Sequence, residues 1–215
     1  MQKDLQDYRK SYEQSELLED RIPNHPTALF AAWFEEAESH PGIAEVNAMT
    51  LSTVGEDNFP QARIVLLKSF DKEGFVFYTN YNSEKARAIE KHKEVCLTFF
   101  WPSLERQVII KGKATKNSEE EATDYFKTRP RGSQLGAWAS NQSSPVASRA
   151  EIEERLKYFE DKFEGQEVPK PAHWGGYRVK AKSFEFWQGR VNRLHDRILY
   201  EVESEKNWNV KRLAP

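Results

Sequence analysis

The sequence predicts a mainly β, α+β fold: an antiparallel barrel with helices packed outside it. Three observations carry this expectation. Short apolar runs follow one another in hairpin order, joined by turn sequences such as Gly55-Glu56-Asp57-Asn58 and Asp71-Lys72-Glu73-Gly74. A few segments with helical periodicity interrupt them without the strand–helix–strand alternation of a parallel sheet. No internal repeat, low-complexity tract or linker separates a second folding unit, so residues 23–215 read as a single domain behind a charged, mobile arm, residues 1–22.

The arm has no hydrophobic periodicity and reads as mobile or loosely helical. Thr27–Ser39 reads as a helix, because Leu29, Trp33 and Ala37 recur at helical spacing with Phe30 and Phe34 alongside, and His40-Pro41-Gly42 stops it. Ala48–Val54, Ala62–Phe70 and Phe75–Thr79 read as strands, and Ser83–His92 as a helix capped by Asn82 or Ser83. Val95–Trp101 and Arg106–Thr115 are longer strands around Pro102-Ser103. Ser118-Glu119-Glu120-Glu121 is a capping box, opening a helix that ends at Thr128 before Pro130, and Ser133–Ala139 follows as a short helix. Ser148-Arg149-Ala150-Glu151 opens another, with Ile152, Leu156, Phe159 and Phe163 as its apolar stripe and Gly165 as its end. After a loop carrying Pro169 and Pro171, Tyr177–Lys182, Phe184–Gln188, Ile198–Glu203 and Trp208–Leu213 complete the strands.

A chain of 215 residues buries roughly 70% of its unfolded surface and needs no disulfide. The single cysteine, Cys96, cannot pair within the chain and sits in an apolar strand, where a structural role is expected. Lys and Arg number 32 against 34 Asp and Glu, which argues against binding a bulk polyanion and leaves room for a small phosphorylated ligand. The polar N-terminal stretch lacks the apolar core of a secretory signal, and no apolar run approaches the ~20 residues that span a bilayer. The expected setting is reducing and cytoplasmic.

Several chemistries are excluded by their missing motifs. There is no Walker P-loop, no G-x-G-x-x-G, no G-x-S-x-G elbow and no metal-ligand spacing among five His and one Cys, so no metal is expected. What remains are cations beside hydroxyls and amides, the groups that hold phosphate. Arg63-Ile64-Val65-Leu66-Leu67-Lys68 puts a cation at each end of an apolar strand, on opposite faces if alternation is strict. The bland reading of that segment is a core strand with charges reaching water at its ends. Tyr125 and Arg129 stand i,i+4 on one helix face, with Ser133 just past Pro130, and together they can cup one phosphate; a solvated helix end is the equal alternative. Arg193-Leu194-His195-Asp196-Arg197, if extended, projects Arg193, His195 and Arg197 to one side, where an anion or electron-rich group would relieve their repulsion. A solvated surface strand is the plainer reading. Trp187 upstream offers a stacking face, although a core Trp is commoner. Gln107, Gln142 and Ser143 suit the edge of a polar heteroaromatic ring. Tyr78-Thr79 followed by Ser83–Lys85 looks like an anion seat at a helix N-terminus.

Read together, RIVLLK (63–68), FYTNYNSEKA (77–86), LERQV (104–108), YFKTRPRGSQLGAW (125–138), QSS (142–144), WGGYRV (174–179), EFWQG (185–189), RLHDR (193–197) and RLAP (212–215) resemble the pyridoxamine 5′-phosphate oxidase family. The resemblance runs in order from about residue 8 to the end of the chain. It implies an FMN-binding split β-barrel homodimer, each flavin held between two subunits. Carried over by position, Arg63, Lys85, Gln142 and Ser143 hold FMN around its phosphate. Tyr78, Thr79, Gln107, Trp187 and Arg197 line the rest of the flavin, with the backbone at Val65 and Leu66 against the ring. Lys68, Tyr125, Arg129 and Ser133 take the substrate phosphate. Arg193 and His195 contact the pyridine and its C4′ substituent and are the catalytic candidates. Arg9 and Tyr12 resemble the N-terminal segment that closes over the site.

The implied reaction converts pyridoxamine or pyridoxine 5′-phosphate to pyridoxal 5′-phosphate by hydride transfer from C4′ to flavin N5, the imine from the amine substrate being hydrolysed to aldehyde and ammonia. Dioxygen reoxidises the flavin and gives hydrogen peroxide. One departure stands out: Glu84 precedes Lys85 where the family commonly has Arg, which predicts weaker FMN binding unless Glu84 points away or pairs with Lys85 or Arg87. Two alternatives are a split-barrel flavin reductase of another substrate, which would not need the second phosphate cup, and a non-catalytic flavin- or pyridoxal-phosphate-binding protein.

Overall fold

Nine strands and five α-helices form among the described residues, 3–204 and 207–215, of this computed structural model. In chain order they are α1 (Pro26–Glu38), β1 (Ala48–Val54), β2 (Pro60–Leu66), β3 (Ser69–Asp71), β4 (Gly74–Asn80), α2 (Glu84–Lys91), β5 (Glu94–Trp101) and β6 (Arg106–Lys116). Then follow α3 (Glu119–Thr128), α4 (Arg131–Ala139), α5 (Arg149–Lys162), β7 (Trp174–Gln188), β8 (Asp196–Val202) and β9 (Trp208–Leu213). The strands form one sheet in the order β2-β1-β5-β6-β7-β4-β3, with β8 on β7 and β9 on β8. The pairings β3–β4, β4–β7, β7–β8 and β8–β9 are antiparallel, with Thr79 opposite Gly175 and Trp187 opposite Arg197. This is the mainly β, antiparallel architecture with helices that the sequence predicts.

By internal packing the chain divides into two compact units. One comprises Met1–Met49, Leu97–Lys111 and Lys182–Pro215; the other comprises Thr50–Cys96 and Gly112–Ala181. The chain crosses between them inside β1, β5, β6 and β7 rather than through a linker, which is why composition shows no boundary.

In the first unit α1 buries Leu29, Phe30, Trp33 and Ala37, the stripe read from helical spacing. Phe30 packs on Phe99 at 5.0 Å and Trp33 edge-on to Phe186 at 5.2 Å. The buried Arg106 lies 4.5 Å over Trp33, and its charge is met by Glu36 (2.6 Å) and Gln188 (2.9 Å), as a buried cation requires. Residues 3–22 are irregular apart from a 3-10 turn at Glu19–Arg21, yet they make specific contacts. The Glu13 and Gln14 N–H groups donate to the buried Glu105 carboxylate, the Leu17 N–H donates to Asp196, and the Leu17 side chain is buried.

In the second unit the Ser118 hydroxyl accepts from the Glu121 N–H while the Glu121 carboxylate accepts from the Ser118 N–H, so the capping box forms as read. At α5 the box is skewed: Ser148 accepts from the Glu151 N–H, but the Glu151 carboxylate accepts from the Ala147 N–H. Leu156 and Phe159 pack against a cluster of Phe126, Leu135, Phe163, Val168 and Trp174, which seats α3, α4 and α5 together.

Four expectations need correction, each for a local reason. The run 62–70 is two strands because it changes partner: β2 neighbours β1, whereas β3 pairs with β4. Leu67 and Lys68 make the break, with the Lys68 N–H donating to Val76 O, so simple alternation from Arg63 to Lys68 does not hold. Tyr177–Lys182 and Phe184–Gln188 are one strand, β7, whose first half pairs with β4 and second half with β8. Arg129 is not on the α3 face: it is the residue past the helix end, extended at ψ 145° because it precedes Pro130. Residues 193–197 are not extended throughout. Val191–Arg193 form a 3-10 turn with Asn192 and Arg193 at positive φ, so Arg193 does not alternate with His195 and Arg197.

Candidate active site

A cleft of about 640 Å³ opens in the second unit between the end of β2, the C-terminal half of β4 and the α3–α4 junction. It collects ten of the residues singled out from sequence. Val65, Leu66 and Lys68 line it from the β2–β3 break, and Tyr78 and Thr79 from β4. Lys85 enters from α2, Tyr125 and Arg129 from the end of α3, and Ser133 from the first turn of α4; Gln142 enters from the following loop. The Pro130 ring that ends α3 also starts α4, so Tyr125, Arg129 and Ser133 converge although they share no helix.

Arg129 is held by rings rather than by acceptors. Its guanidinium lies 4.7 Å from the centre of the Trp174 ring and 5.6 Å from that of Phe126. Its Nη1 is buried with no hydrogen-bond partner among the described residues, and burial pulls its pKa below the ordinary guanidinium value. Beside it Tyr78 stacks on Tyr125 at 4.0 Å and on Trp174 at 5.2 Å, forming an aromatic wall. Lys68 is exposed on the cleft.

A second cleft of about 370 Å³ is lined by Gln61, Ala62, Arg63, Glu84, Lys85 and Ser143, so Lys85 borders both. Lys85 Nζ donates to Gln142 (2.8 Å), Thr79 (3.3 Å) and the buried Ser83 hydroxyl (3.3 Å), all neutral oxygens. Burial, reinforced by Arg63, lowers its pKa to about 8. Arg63 donates to Thr53 (2.8 Å), to the carbonyls of Leu51 and Gln61, and to the Gln61 side chain. Ser143 holds a left-handed φ of 69°, backbone strain of the kind that gathers at binding sites. Glu84 neither turns from this cleft nor pairs with Lys85 or Arg87. It accepts from Gln61 Nε2 at 3.0 Å, while Arg87 pairs with Glu56.

Among the described residues, no carboxylate forms an ion pair with Arg63, Lys68, Lys85 or Arg129. The exposed Arg212, by contrast, pairs with both Glu19 and Asp196. Four cations on two adjoining clefts, met by neutral groups or by none, make a site prepared for anions.

The remaining candidates lie in the first unit and line neither cleft. Trp187 on β7 packs against His195 at 4.7 Å and against Tyr12 at 5.7 Å, and Tyr12 meets His195 at 5.7 Å. His195 Nδ1 accepts from the Arg190 N–H at 3.1 Å. Burial and the neighbouring Arg193 push its pKa below the ordinary imidazole value, against a smaller opposite pull from Asp196. Arg193 is exposed, with a left-handed φ of 62°. Arg197 donates to Glu185 (2.8 Å) and to Ala214 O (2.8 Å). Gln107 is half-buried on β6, and the exposed Arg9 donates to Gln6 O.

Sequence reasoning did not single out Trp174, Asn80, Thr53 or Gln61. Trp174 enters the sequence reading only as part of WGGYRV, and its role under Arg129 has no local signal. Thr53 and Gln61 reach Arg63 only through β1 and β2 lying side by side. Asn80 could have been found, since an Asn at a strand end before a helix often bonds nearby backbone: its Oδ1 accepts from the Asn82 N–H.

The sequence profile described as "Pyridoxamine 5′-phosphate oxidase" matches residues 36–163, and that described as "Pyridoxine 5′-phosphate oxidase C-terminal dimerisation region" matches residues 174–215. The pyridoxine/pyridoxamine 5′-phosphate oxidase of Flavobacterium psychrophilum is 58% identical, over 99% of this chain and 100% of its own. The crystal structure of PhzG from Burkholderia lata, in complex with tetrahydrophenazine-1-carboxylic acid, superposes with a TM-score of 0.86 at 25% identity, covering 94% of this chain and 100% of that one. A pyridoxamine 5′-phosphate oxidase-related, FMN-binding protein from Nostoc punctiforme shares the fold at a TM-score of 0.70 and 13% identity, covering 90% and 100%. The chain belongs to the pyridoxamine 5′-phosphate oxidase family.

Proposed function

We propose that the protein oxidises pyridoxamine or pyridoxine 5′-phosphate to pyridoxal 5′-phosphate with FMN as cofactor and dioxygen as the final acceptor. The observation that carries this is the pair of adjoining clefts whose cations lack carboxylate partners. Two phosphate seats suit a phosphorylated substrate beside a phosphorylated cofactor. A flavin reductase of an unphosphorylated substrate leaves the cup of Lys68, Tyr125, Arg129 and Ser133 without a purpose.

The smaller cleft fits the FMN phosphate. Arg63 and Lys85 offer charge, Ser143 a hydroxyl on strained backbone, and Gln142 leaves the Lys85 ammonium when an anion takes its place. Thr79, Tyr78 and the backbone of Val65 and Leu66 line the way to the larger cleft. When bound, the flavin supplies the hydride acceptor and the route to dioxygen. The chain's own residues supply position. Arg129, Lys68, Tyr125 and Ser133 anchor the 5′-phosphate, so that binding energy far from the reacting carbon orients it. Arg193 and His195 contact the pyridine near C4′, and Tyr12 with Arg9 covers it.

Gln107, Trp187, Arg193, His195 and Arg197 complete the site from a second subunit in a homodimer. Four of these five lie within the segment matched by the dimerisation-region profile, which supports that arrangement. Steady-state assay with pyridoxamine 5′-phosphate tests the phosphate cup. Replacing Arg129 with Leu is expected to raise KM by roughly tenfold to a hundredfold, the worth of a charged hydrogen bond, with FMN still bound. Unchanged KM removes Arg129 from the substrate site.

A further inference from the structure

The turn that carries His195 decides more than its place. Between Gln188 at the end of β7 and Asp196 at the start of β8, the chain closes through Val191–Arg193, with Asn192 (φ 57°) and Arg193 (φ 62°) both left-handed. That reversal brings the Arg190 N–H to 3.1 Å from His195 Nδ1. A backbone N–H can only donate, so Nδ1 must present its lone pair, and the imidazole proton stands on Nε2. Protonating the ring would set two N–H groups against each other and break the turn's closing bond. Arg190 itself is tied down at its other end, its guanidinium donating to Ser15 O and Glu16 and lying 3.7 Å from Asp196. Trp187 and Tyr12 fix the ring from two sides. Among the described residues Nε2 has no hydrogen-bond partner.

Resting on the assignment of His195 to the substrate pocket, we propose that Arg190 is a positioning residue whose backbone N–H fixes His195 as the neutral, Nε2-protonated tautomer. His195 then meets the substrate as a hydrogen-bond donor and not as a proton-abstracting base. Its Nε2–H selects a lone pair on the substrate: the oxygen on the pyridine ring, or the C4′ heteroatom in its uncharged form. The charged groups around the ring are Arg193 and Asp196, of opposite sign, with Arg190 beyond them; Tyr12 and Trp187 contribute uncharged faces.

The test is long-range proton–nitrogen NMR on flavin-free protein labelled with nitrogen-15 histidine, with His195→Gln identifying the signals. The expected result at neutral pH is a pyridine-type Nδ1 and a pyrrole-type Nε2. An Nδ1–H tautomer, or a doubly protonated ring at neutral pH, overturns the proposal. Asn192→Gly keeps the left-handed turn and is expected to keep the tautomer. Asn192→Val opposes it and is expected to give a tautomer mixture while the other four histidines stay unmoved. A mixture in neither variant overturns the role of the turn. In turnover, His195→Gln retains a donor near the Nε2 position, whereas His195→Asn places its amide near Nδ1. The Gln variant is expected to exceed the Asn variant by roughly tenfold, one hydrogen bond's worth, and equal losses overturn the donor role. Failure of the oxidase reading shows separately, as wild-type protein that yields no aldehyde.

Discussion

At the scale of single residues, Lys85 ties the proposed cofactor seat to pH. Its pKa of about 8 arises because burial, with Arg63 beside it, penalises the ammonium. A phosphate dianion favours the ammonium and raises that pKa, so binding above pH 8 takes up a proton. Affinity for FMN is therefore expected to fall as pH rises through about 8, and the fall disappears in Lys85→Arg, which stays charged. Calorimetric titration in buffers of different ionisation heat reads the proton directly. Glu84 makes a second case. It sits on the same cleft, held by Gln61 instead of a cation, so Glu84→Gln is expected to tighten FMN roughly twofold to fivefold, the range of an exposed charge interaction. Looser binding in that variant would show that the carboxylate steadies Arg63 through Gln61. The sequence pointed to Arg63, Lys68, Lys85, Arg129 and Ser133 because cations beside hydroxyls are visible as such. It could not point to Trp174, whose value to Arg129 exists only once β7 passes under the α3–α4 junction.

At the scale of elements, the legible features were those set by residues close in sequence. The α1 stripe, the Ser118 box and the strand runs at Ala48–Val54 and Trp208–Leu213 all appear where local patterning put them. Ser118→Ala is expected to cost about 1 kcal/mol of stability through the lost cap, read by denaturant unfolding, with substrate KM unchanged. What local patterning missed were changes of partner. Nothing near Leu67 says that the strand leaves the β1 side to join β4, and nothing near Ser183 says that β7 continues as its neighbour changes from β4 to β8. The turn at Arg190–His195 was misread for a similar reason. Two consecutive left-handed residues without glycine follow Arg190, whose guanidinium donates to Ser15 O and Glu16 and lies near Asp196, and none of these partners except Asp196 falls within RLHDR.

At the scale of the whole molecule, the candidate residues fall into two sets. Arg63, Lys68, Lys85, Tyr125, Arg129, Ser133, Gln142 and Ser143 border the clefts of one unit, while Trp187, Arg193, His195 and Arg197 belong to the other. If a second subunit supplies the latter set, two impaired variants should rescue each other when assayed at a substrate concentration near the wild-type KM. Mixing Arg129→Leu with Arg193→Leu protein under subunit exchange is expected to restore about a quarter of wild-type turnover, because half the dimers are mixed and one site in each is intact. No recovery despite demonstrated exchange would place both sets of one site on a single chain. Among the described residues no helix is long and apolar enough to cross a membrane. Hairpin order and turn sequences made the antiparallel architecture legible early; that two subunits share each flavin was implied by resemblance alone.

Oxidation of a B6 phosphate by FMN on this chain is read from the absorbance of the FMN-loaded protein on adding pyridoxamine 5′-phosphate without oxygen. The flavin bands are expected to bleach, then return on admitting air, with one pyridoxal 5′-phosphate formed per flavin reduced. A flavin that binds but stays oxidised, with either pyridoxamine or pyridoxine 5′-phosphate, would contradict it.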